Sequence, residues 1–278
     1  MARTRLSYPE QLMLANRLTE PAIRSAIAAA FSPAPGPRGL DAGCGIGLHT
    51  RWLAEAAGAG ARVTGIDISE ENLARARSLA EQSPGPGSVA FLRSNLRALG
   101  FRAGVFDWAY CADVLWPVPE RDPLQALAEL ARVVRPGGTI AILFWTSQQL
   151  LTGYPELEAR LAPAHAAWNP YLRDVPPEKH HLCAREWMHS VGLCEVTART
   201  FAADVPSPLG ATDREALAYC LQMLWGQAAE SLPETDRGAF QALANPDSCR
   251  FIGDAPGYYG FITYTLFLGR RPPSPHRP

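Results

Sequence analysis

Apolar and polar positions alternate with two different periods along residues 36–146. Short apolar segments at intervals have the composition of buried β-strands. These segments are RGLDAGC (38–44), ARVTGIDIS (61–69), VAFLRSN (89–95), FDWAYCAD (106–113) and GTIAILFW (138–145). Apolar residues at helical spacing follow Ser69 and Asp122, two residues suited to cap a helix N-terminus. Strands that alternate with helices predict an α/β fold, a doubly wound and mainly parallel Rossmann-like sheet.

The alternation changes on both sides of this region. The pattern predicts a helix over 20–31, and after residue 181 a helix over 184–193 and strands over 194–202 and 258–272. We expect one domain over residues 1–278, in which residues 36–146 form the core. Two segments are not needed to close the sheet, namely 147–181 and 213–246, and the second has two helical patterns. We expect both segments to be helical lid insertions that form an acceptor pocket.

The stretch LDAGCGIG, residues 40–47, lies at the first strand-to-helix turn, where open α/β sheets bind ligands. Gly43, Gly45 and Gly47 lack a Cβ, so a ligand can approach the main chain there and the chain can take positive φ. Asp67 ends the second predicted strand, where a carboxylate can accept hydrogen bonds from both hydroxyls of a ribose. The glycines and the acid together predict a nucleoside ligand. Leu48 stands where a dinucleotide fingerprint needs a small residue, which disfavours a nicotinamide cofactor.

Four motifs carry a family resemblance: LDAGCGIG, GIDIS, FDWAYCADVLW and ELARVVRPGGTIAI. In order and spacing they resemble the class I S-adenosylmethionine-dependent methyltransferases, in particular the small-molecule branch with quinone and sterol methylating enzymes. The resemblance implies a seven-stranded sheet whose antiparallel seventh strand lies between the fifth and sixth. It also implies S-adenosylmethionine as cofactor and methyl transfer to a small-molecule acceptor by in-line displacement.

The resemblance also implies a set of cofactor-binding residues. They are Asp41, Ala42, Gly43, Cys44, Gly45, Asp67, Ile68, Asn95, Leu96 and Cys111. Asp41 is expected to address the ammonium group through water, and Asp67 to hold the ribose. Asn95 stands where the family usually has an aspartate for the adenine amine, and its amide oxygen can accept that hydrogen bond without assistance from a charge.

Residues that would contact the acceptor are less well defined by the sequence. The segment CADVLWPVPE, 111–120, lacks the N/D-P-P-Y/W motif of DNA and protein amine methylation, which favours a small molecule. A catalytic base is optional in this chemistry, and the candidates are His180, His181 and Tyr8, with surface histidines as the alternative reading. Large apolar or aromatic side chains provide candidate acceptor contacts, with a second core layer as the alternative. They are Trp116, Trp168, Tyr171, Tyr219, Met223 and Trp225.

Composition excludes several other classes of protein. The 26 basic and 27 acidic residues give a net charge of −1, without the basic excess that nucleic-acid binding needs. Because no apolar run approaches the ~20 residues that span a bilayer, we expect no membrane partner and a cytoplasmic location. The six cysteines contain no C-x-x-C pair, so we expect no metal site. A homodimer, a non-catalytic cofactor-binding sensor and an NAD(P)-dependent oxidoreductase stay open as alternatives.

Overall fold

The structure, a computed structural model, describes residues 6–31, 36–83, 85–116, 122–168 and 175–274. The helices in these ranges are α1 (Tyr8–Ala30), α2 (Leu48–Ala57), α3 (Glu70–Gln82), α4 (Pro123–Val133), α5 (Pro155–Trp168), α6 (Ala184–Ser190), α7 (Ala211–Ala229) and α8 (Glu234–Ala244). The strands are β1 (Arg38–Ala42), β2 (Arg62–Asp67), β3 (Ser88–Arg93), β4 (Phe106–Ala112), β5 (Val134–Gln149), β6 (Cys194–Pro206) and β7 (Tyr259–Arg270). No helix within the described ranges is long and apolar enough to cross a bilayer.

The strands form a seven-stranded sheet in the order β3-β2-β1-β4-β5-β7-β6. The pairs that β1 makes with β2 and β4 are parallel, as are β2 with β3 and β4 with β5. Strand β7 runs antiparallel to β5, with Gly137 N–H donating to Arg271 O and Arg271 N–H to Gly138 O. The predicted doubly wound fold is therefore confirmed. Since the chain leaves β1 toward β2 on one side and returns to β4 on the other, the switch point lies between β1 and β4.

Local capping explains where the helices begin. The Ser69 hydroxyl accepts a hydrogen bond from Asn72 N–H at the start of α3, and the Asp122 carboxylate accepts one from Leu124 N–H at the start of α4. Both caps agree with the sequence analysis. Helix α1 begins at Tyr8, twelve residues before the predicted start. There Ser7 and Glu10 form a reciprocal capping box, in which Glu10 Oε2 accepts from Ser7 N–H at 2.7 Å.

Two other elements differ from the sequence prediction. Strand β5 begins at Val134 rather than at residue 138, because Val134 pairs with Phe106 before the register shifts. The pair Gly137 and Gly138 lies inside this strand, and a Cβ on Gly138 would come 2.5 Å from the Asp107 carbonyl oxygen. The glycines thus form a bulge of the strand. In addition, α5 lies within 147–181, an expected helical insertion for which the sequence pattern had set no helix bounds.

The chain divides into two compact units, and the division falls inside α1, β5, β6 and β7. We call them the sheet unit (Ile23–Trp145, Pro176–Phe201, Tyr264–Pro278) and the helical unit (Met1–Ala22, Thr146–Val175, Ala202–Thr263). In the sheet unit, apolar side chains of β4 and β5 pack with those of α4 and α6. In the helical unit, α7 packs with α5 and α8, and eight of its 19 residues are buried.

Candidate functional site

A pocket opens at the carboxyl ends of β1 to β4, at the switch point of the sheet unit. Each of these strands contributes residues from its end or from the turn after it, and the first turn of α4 completes the wall. The lining residues are Gly43, Ile66, Asp67, Ile68, Ser94, Asn95, Leu96, Arg97, Val114, Leu115, Trp116, Asp122, Pro123 and Ala126. The lining thus brings together six of the residues singled out in the sequence, namely Gly43, Asp67, Ile68, Asn95, Leu96 and Trp116.

The turn between β1 and α2 contains three glycines with left-handed backbone. Gly43, Gly45 and Gly47 have φ values of 80°, 53° and 77°. A Cβ on Gly43 would overlap the Val114 side chain, and one on Gly47 would come 2.8 Å from the Phe91 ring. Packing within the protein itself therefore requires two of the three glycines. The sequence analysis had explained these glycines by the approach of a ligand alone.

The Asp67 carboxylate connects this turn to the end of β2. Its Oδ2 accepts from Gly45 N–H at 2.9 Å, and its Oδ1 accepts from Ser69 N–H at 2.8 Å. Each carboxylate oxygen has a second lone pair, so the group can still accept hydrogen bonds from a ligand in the pocket. Asp67 is thus held in one orientation by main-chain donors on two sides.

Asp41 is buried beneath the same turn. Its side chain is 2% exposed, and Oδ2 accepts from the Thr50 hydroxyl of α2 at 2.6 Å. Burial raises the pKa of Asp41, the Thr50 hydrogen bond lowers it and the nearby Asp67 raises it, and the result is a pKa of about 7. A cation near this turn would offset the desolvation of the ionised carboxylate.

The far side of the pocket has residues suited to a flat heterocycle. The Ile68 side chain, directly after Asp67, is 67% exposed and lines the pocket, so it offers apolar surface to a ligand. Asn95 Oδ1 accepts from Arg97 N–H at 3.0 Å, so the amide belongs to a turn and keeps two N–H donors and a lone pair for other partners. Leu96 lines the pocket beside it.

Three residues of the expected set have buried side chains. Ala42 and Cys111 have no exposed surface, and Cys44 packs with Phe91 in a small core cluster. Only main-chain atoms of Ala42 and Cys44 are suited to touch a ligand. Cys111 does not line the pocket, and the pocket wall that follows β4 is formed by Val114, Leu115 and Trp116. Burial raises the pKa of Cys111 well above its ordinary value, so it is a thiol.

Asp113, which the sequence analysis did not single out, shapes that wall. It has a left-handed backbone, with φ 52°, a conformation that costs energy outside glycine. Its carboxylate accepts from Trp145 N–H at 2.9 Å and from the Tyr264 hydroxyl at 3.0 Å. Burial raises the pKa of Asp113 to about 6. These bonds across β5 and β7 fix the turn that presents Val114 to the pocket.

The two candidate histidines have different environments. Nδ1 of His180 accepts from Leu182 N–H at 3.2 Å, so this ring caps a short 3-10 turn. His181 is only 6% exposed and packs against Trp116 and Phe144, with ring centroids 4.8 and 5.4 Å away. The reading of both histidines as surface residues therefore does not hold for His181.

The remaining candidates belong to the helical unit. Tyr8 is exposed, and the Tyr219 hydroxyl donates to Gln11 of α1 at 3.4 Å. Met223 is 44% exposed, whereas Trp225 is 3% exposed in the packed face of α7. For Trp225 the core-layer reading is the one that fits. The Trp168 side chain and Tyr171 lie outside the described residues.

Strand order, glycine turn and strand-end acid together define the fold of the class I S-adenosylmethionine-dependent methyltransferases. The donor set also fits that cofactor. Asp67 faces the pocket as an acceptor for hydroxyl groups, Ile68 and Leu96 offer apolar contact, and the negative charge of Asp41 suits a cationic amino-acid portion.

Comparison with known proteins agrees with this fold, and residues 40–142 match the family described as a methyltransferase domain. Probable methyltransferase ltbC of Aspergillus luteorubrus is 42% identical over 108 residues, 37% of this chain and 38% of that protein. Demethylmenaquinone methyltransferase of Lysinibacillus sphaericus is 36% identical over 123 residues, 44% of this chain and 50% of that protein. The chain thus spans half or less of the length of these curated relatives.

A solved structure supports the fold over nearly the whole chain. Phospholethanolamine N-methyltransferase 2 of Haemonchus contortus, in complex with phosphomonomethylethanolamine and S-adenosylhomocysteine, has a TM-score of 0.55 at 15% identity. The match covers 96% of this chain and 58% of that one. At this identity the likeness concerns the fold alone.

A first prediction concerns the packing of the glycine turn. Gly47→Ala should lower the free energy of unfolding by about 2–4 kcal/mol, since it combines a left-handed alanine with a Cβ pressed against Phe91. Gly192→Ala is the matched control, because Gly192 is also left-handed at φ 82° but has no atom within 4 Å of its Cβ position. It should cost about 1–2 kcal/mol. Equal losses in urea unfolding would contradict the packing argument.

A second prediction concerns Asp41 and pH. An acid whose pKa is raised on folding binds more protons in the folded state between its two pKa values, so stability falls as pH rises from about 4 to about 7. Asp41→Asn, which keeps an acceptor for Thr50, removes this dependence. Its free energy of unfolding relative to the parent should therefore rise by a few kcal/mol between pH 4.5 and pH 8. The free energies of unfolding are measured in urea. If the difference between Asp41→Asn and the parent is constant across this pH range, ionisation of Asp41 does not destabilise the folded protein.

Proposed function

We propose that this protein transfers a methyl group from S-adenosylmethionine to a small-molecule acceptor. The observation that carries the proposal is the Asp67 carboxylate, which lines the pocket beside Ile68 and Asn95 and is held by Gly45 N–H. The methyltransferase domain over residues 40–142 and the names of the curated relatives support the same activity.

The residues of the sheet unit would bind the cofactor, which supplies an electrophilic methyl group when bound. Asp67 would accept hydrogen bonds from the ribose, and Asp41 would act on the ammonium group by its charge rather than by direct contact, because it is buried. Asn95 and Ile68 would hold the adenine. Catalysis then depends chiefly on alignment of the acceptor and exclusion of water, for which apolar walls such as Leu115 are suited.

A small-molecule acceptor is supported by the absence of an N/D-P-P-Y/W motif after β4 and by the relatives whose names specify small-molecule methylation. We further propose that the segments 147–181 and 213–246 select the acceptor. In the helical unit, Met223 and Tyr8 keep large exposed surfaces that such contacts would use. Trp225 does not support this role, because it is buried.

Two alternative functions differ from methyl transfer in ways that can be tested. A nicotinamide-dependent oxidoreductase would need a small residue where Leu48, the first residue of α2, stands. A non-catalytic cofactor-binding protein would bind S-adenosylmethionine without turnover. Binding and transfer must therefore be measured separately.

A third prediction tests the site. Asp67→Ala should weaken S-adenosylhomocysteine binding at least about tenfold in calorimetry, because a charge-assisted hydrogen bond contributes ~1.5–3 kcal/mol. Glu71→Ala, at an exposed acid in the first turn of α3, is the control and should bind as the parent does. The parent should also move a labelled methyl group from S-adenosylmethionine into the small molecules of a deproteinised extract.

The outcomes separate the three functions. Affinity within twofold of the parent for Asp67→Ala would remove Asp67 from the site. Binding without any transfer would favour the sensor, and stabilisation by NAD(H) in place of S-adenosylhomocysteine would favour the oxidoreductase.

A fourth prediction tests acceptor selection by the helical unit. Met223→Ala should raise the KM for the acceptor several-fold while leaving S-adenosylhomocysteine affinity unchanged, because the side chain offers apolar contact area. Met13→Ala, at another partly exposed methionine of the same unit, is the matched control. Equal kinetics for both variants and the parent would argue against a role for Met223.

A further inference from the structure

His181 is a buried polar residue whose described surroundings offer its ring nitrogens no hydrogen bond. The side chain is 94% buried, and neither Nδ1 nor Nε2 has a hydrogen-bond partner among the described residues. An imidazole removed from water without a partner is destabilising, so a site that keeps one needs a reason. The neighbouring His180 does not share this state, because its ring caps Leu182 N–H.

Aromatic rings surround His181. Trp116 approaches edge-on at 4.8 Å between centroids, and Phe144 of β5 lies at 5.4 Å. Trp187 of α6 contacts the same Phe144 at 6.2 Å, and the His180 ring lies 4.2 Å from His181. We call Trp116, Phe144, His181 and Trp187 the aromatic cluster. All four belong to the sheet unit.

The cluster adjoins the cofactor pocket through one shared residue. Trp116 lines the pocket together with Gly43, Asp67 and Leu115, and the same indole contacts the His181 ring. A flat ring that packs against Trp116 would therefore border the proposed cofactor site and lie close to the aromatic cluster that contains His181. Aromatic side chains pack favourably against such a ring.

The protonation state of His181 defines what it can recognise. Burial, together with the neighbouring His180, lowers the pKa of His181 to about 4. At neutral pH the ring is uncharged, so one nitrogen donates and the other accepts a hydrogen bond. A hydroxyl group, which is both donor and acceptor, can satisfy either nitrogen, whereas a carboxylate would find no charge to balance it.

We infer that His181 recognises a hydroxyl group on an aromatic acceptor whose ring packs against Trp116. The inference rests on the proposed methyl transfer and narrows its substrate class to hydroxylated aromatic molecules. His181 acts in it as a binding residue.

Binding of matched probe pairs tests this inference without turnover. The probes are 7-hydroxycoumarin with 7-methylcoumarin, and 2-naphthol with 2-methylnaphthalene, in which a methyl group of similar size replaces the hydroxyl. NMR titrations, with and without S-adenosylhomocysteine, should give at least one hydroxylated probe about tenfold tighter binding than its methyl partner. The imidazole nitrogen signals of His181 should shift with the hydroxylated probe only.

Three variants isolate the imidazole. His181→Phe keeps an aromatic ring in the cluster and should bind both members of a pair equally, with a melting temperature at or above that of the parent. His181→Gln keeps a donor and an acceptor and should retain part of the preference. His180→Asn keeps an acceptor for Leu182 N–H and should retain all of it.

Each result has one meaning. A parent that shows no hydroxyl preference in either pair, or a preference that survives in His181→Phe, overturns the inference. If the parent does not bind S-adenosylhomocysteine, the proposed function is overturned instead. The probe titrations without that ligand still test the role of His181.

Discussion

The carboxylate of Asp67 holds together the part of the molecule on which the site depends. It joins Gly45 N–H, in the turn after β1, to Ser69 N–H, at the start of α3. Phe91 and Val114 occupy the space where side chains on Gly47 and Gly43 would lie, so the turn is also fixed by packing. The protein's own contacts thus give the turn its shape. Because the site is already ordered, little of the binding free energy of a ligand is needed to order it.

The sequence predicted the elements whose cause is local. Apolar periodicity and the caps at Ser69 and Asp122 placed α3 and α4 correctly, because capping depends on residues two or three positions apart. The same kind of signal at Ser7 and Glu10 would have found the start of α1. The early start of β5 has a different cause, since the bulge at Gly137 and Gly138 arises from pairing with β4. Pairing between distant segments leaves no local pattern to read.

The predictions for the candidate site also succeeded where the cause is local and failed where it lies in distant contacts. Residues that end a strand, such as Asp67 and Asn95, were placed beside the pocket from sequence alone, because parallel strands end at the same edge of a sheet. The direction of a side chain was not predictable in this way, and Cys111 and Trp225 proved to be buried. The burial of His181 depends on Phe144 and Trp116, which are far from it in sequence.

Buried acids at the carboxyl edge of the sheet give the site its electrostatic character. Asp41 and Asp113 both have raised pKa values because of burial, Asp41 in β1 and Asp113 directly after β4, on the two sides of the switch point. Each keeps hydrogen-bond donors that favour the ionised form, Thr50 in one case and Tyr264 in the other. Ionised carboxylates in such places are destabilising unless a positive charge comes near. A cofactor with an ammonium and a sulfonium group supplies that charge, so the same burial that lowers the stability of the free protein favours this ligand over a neutral one.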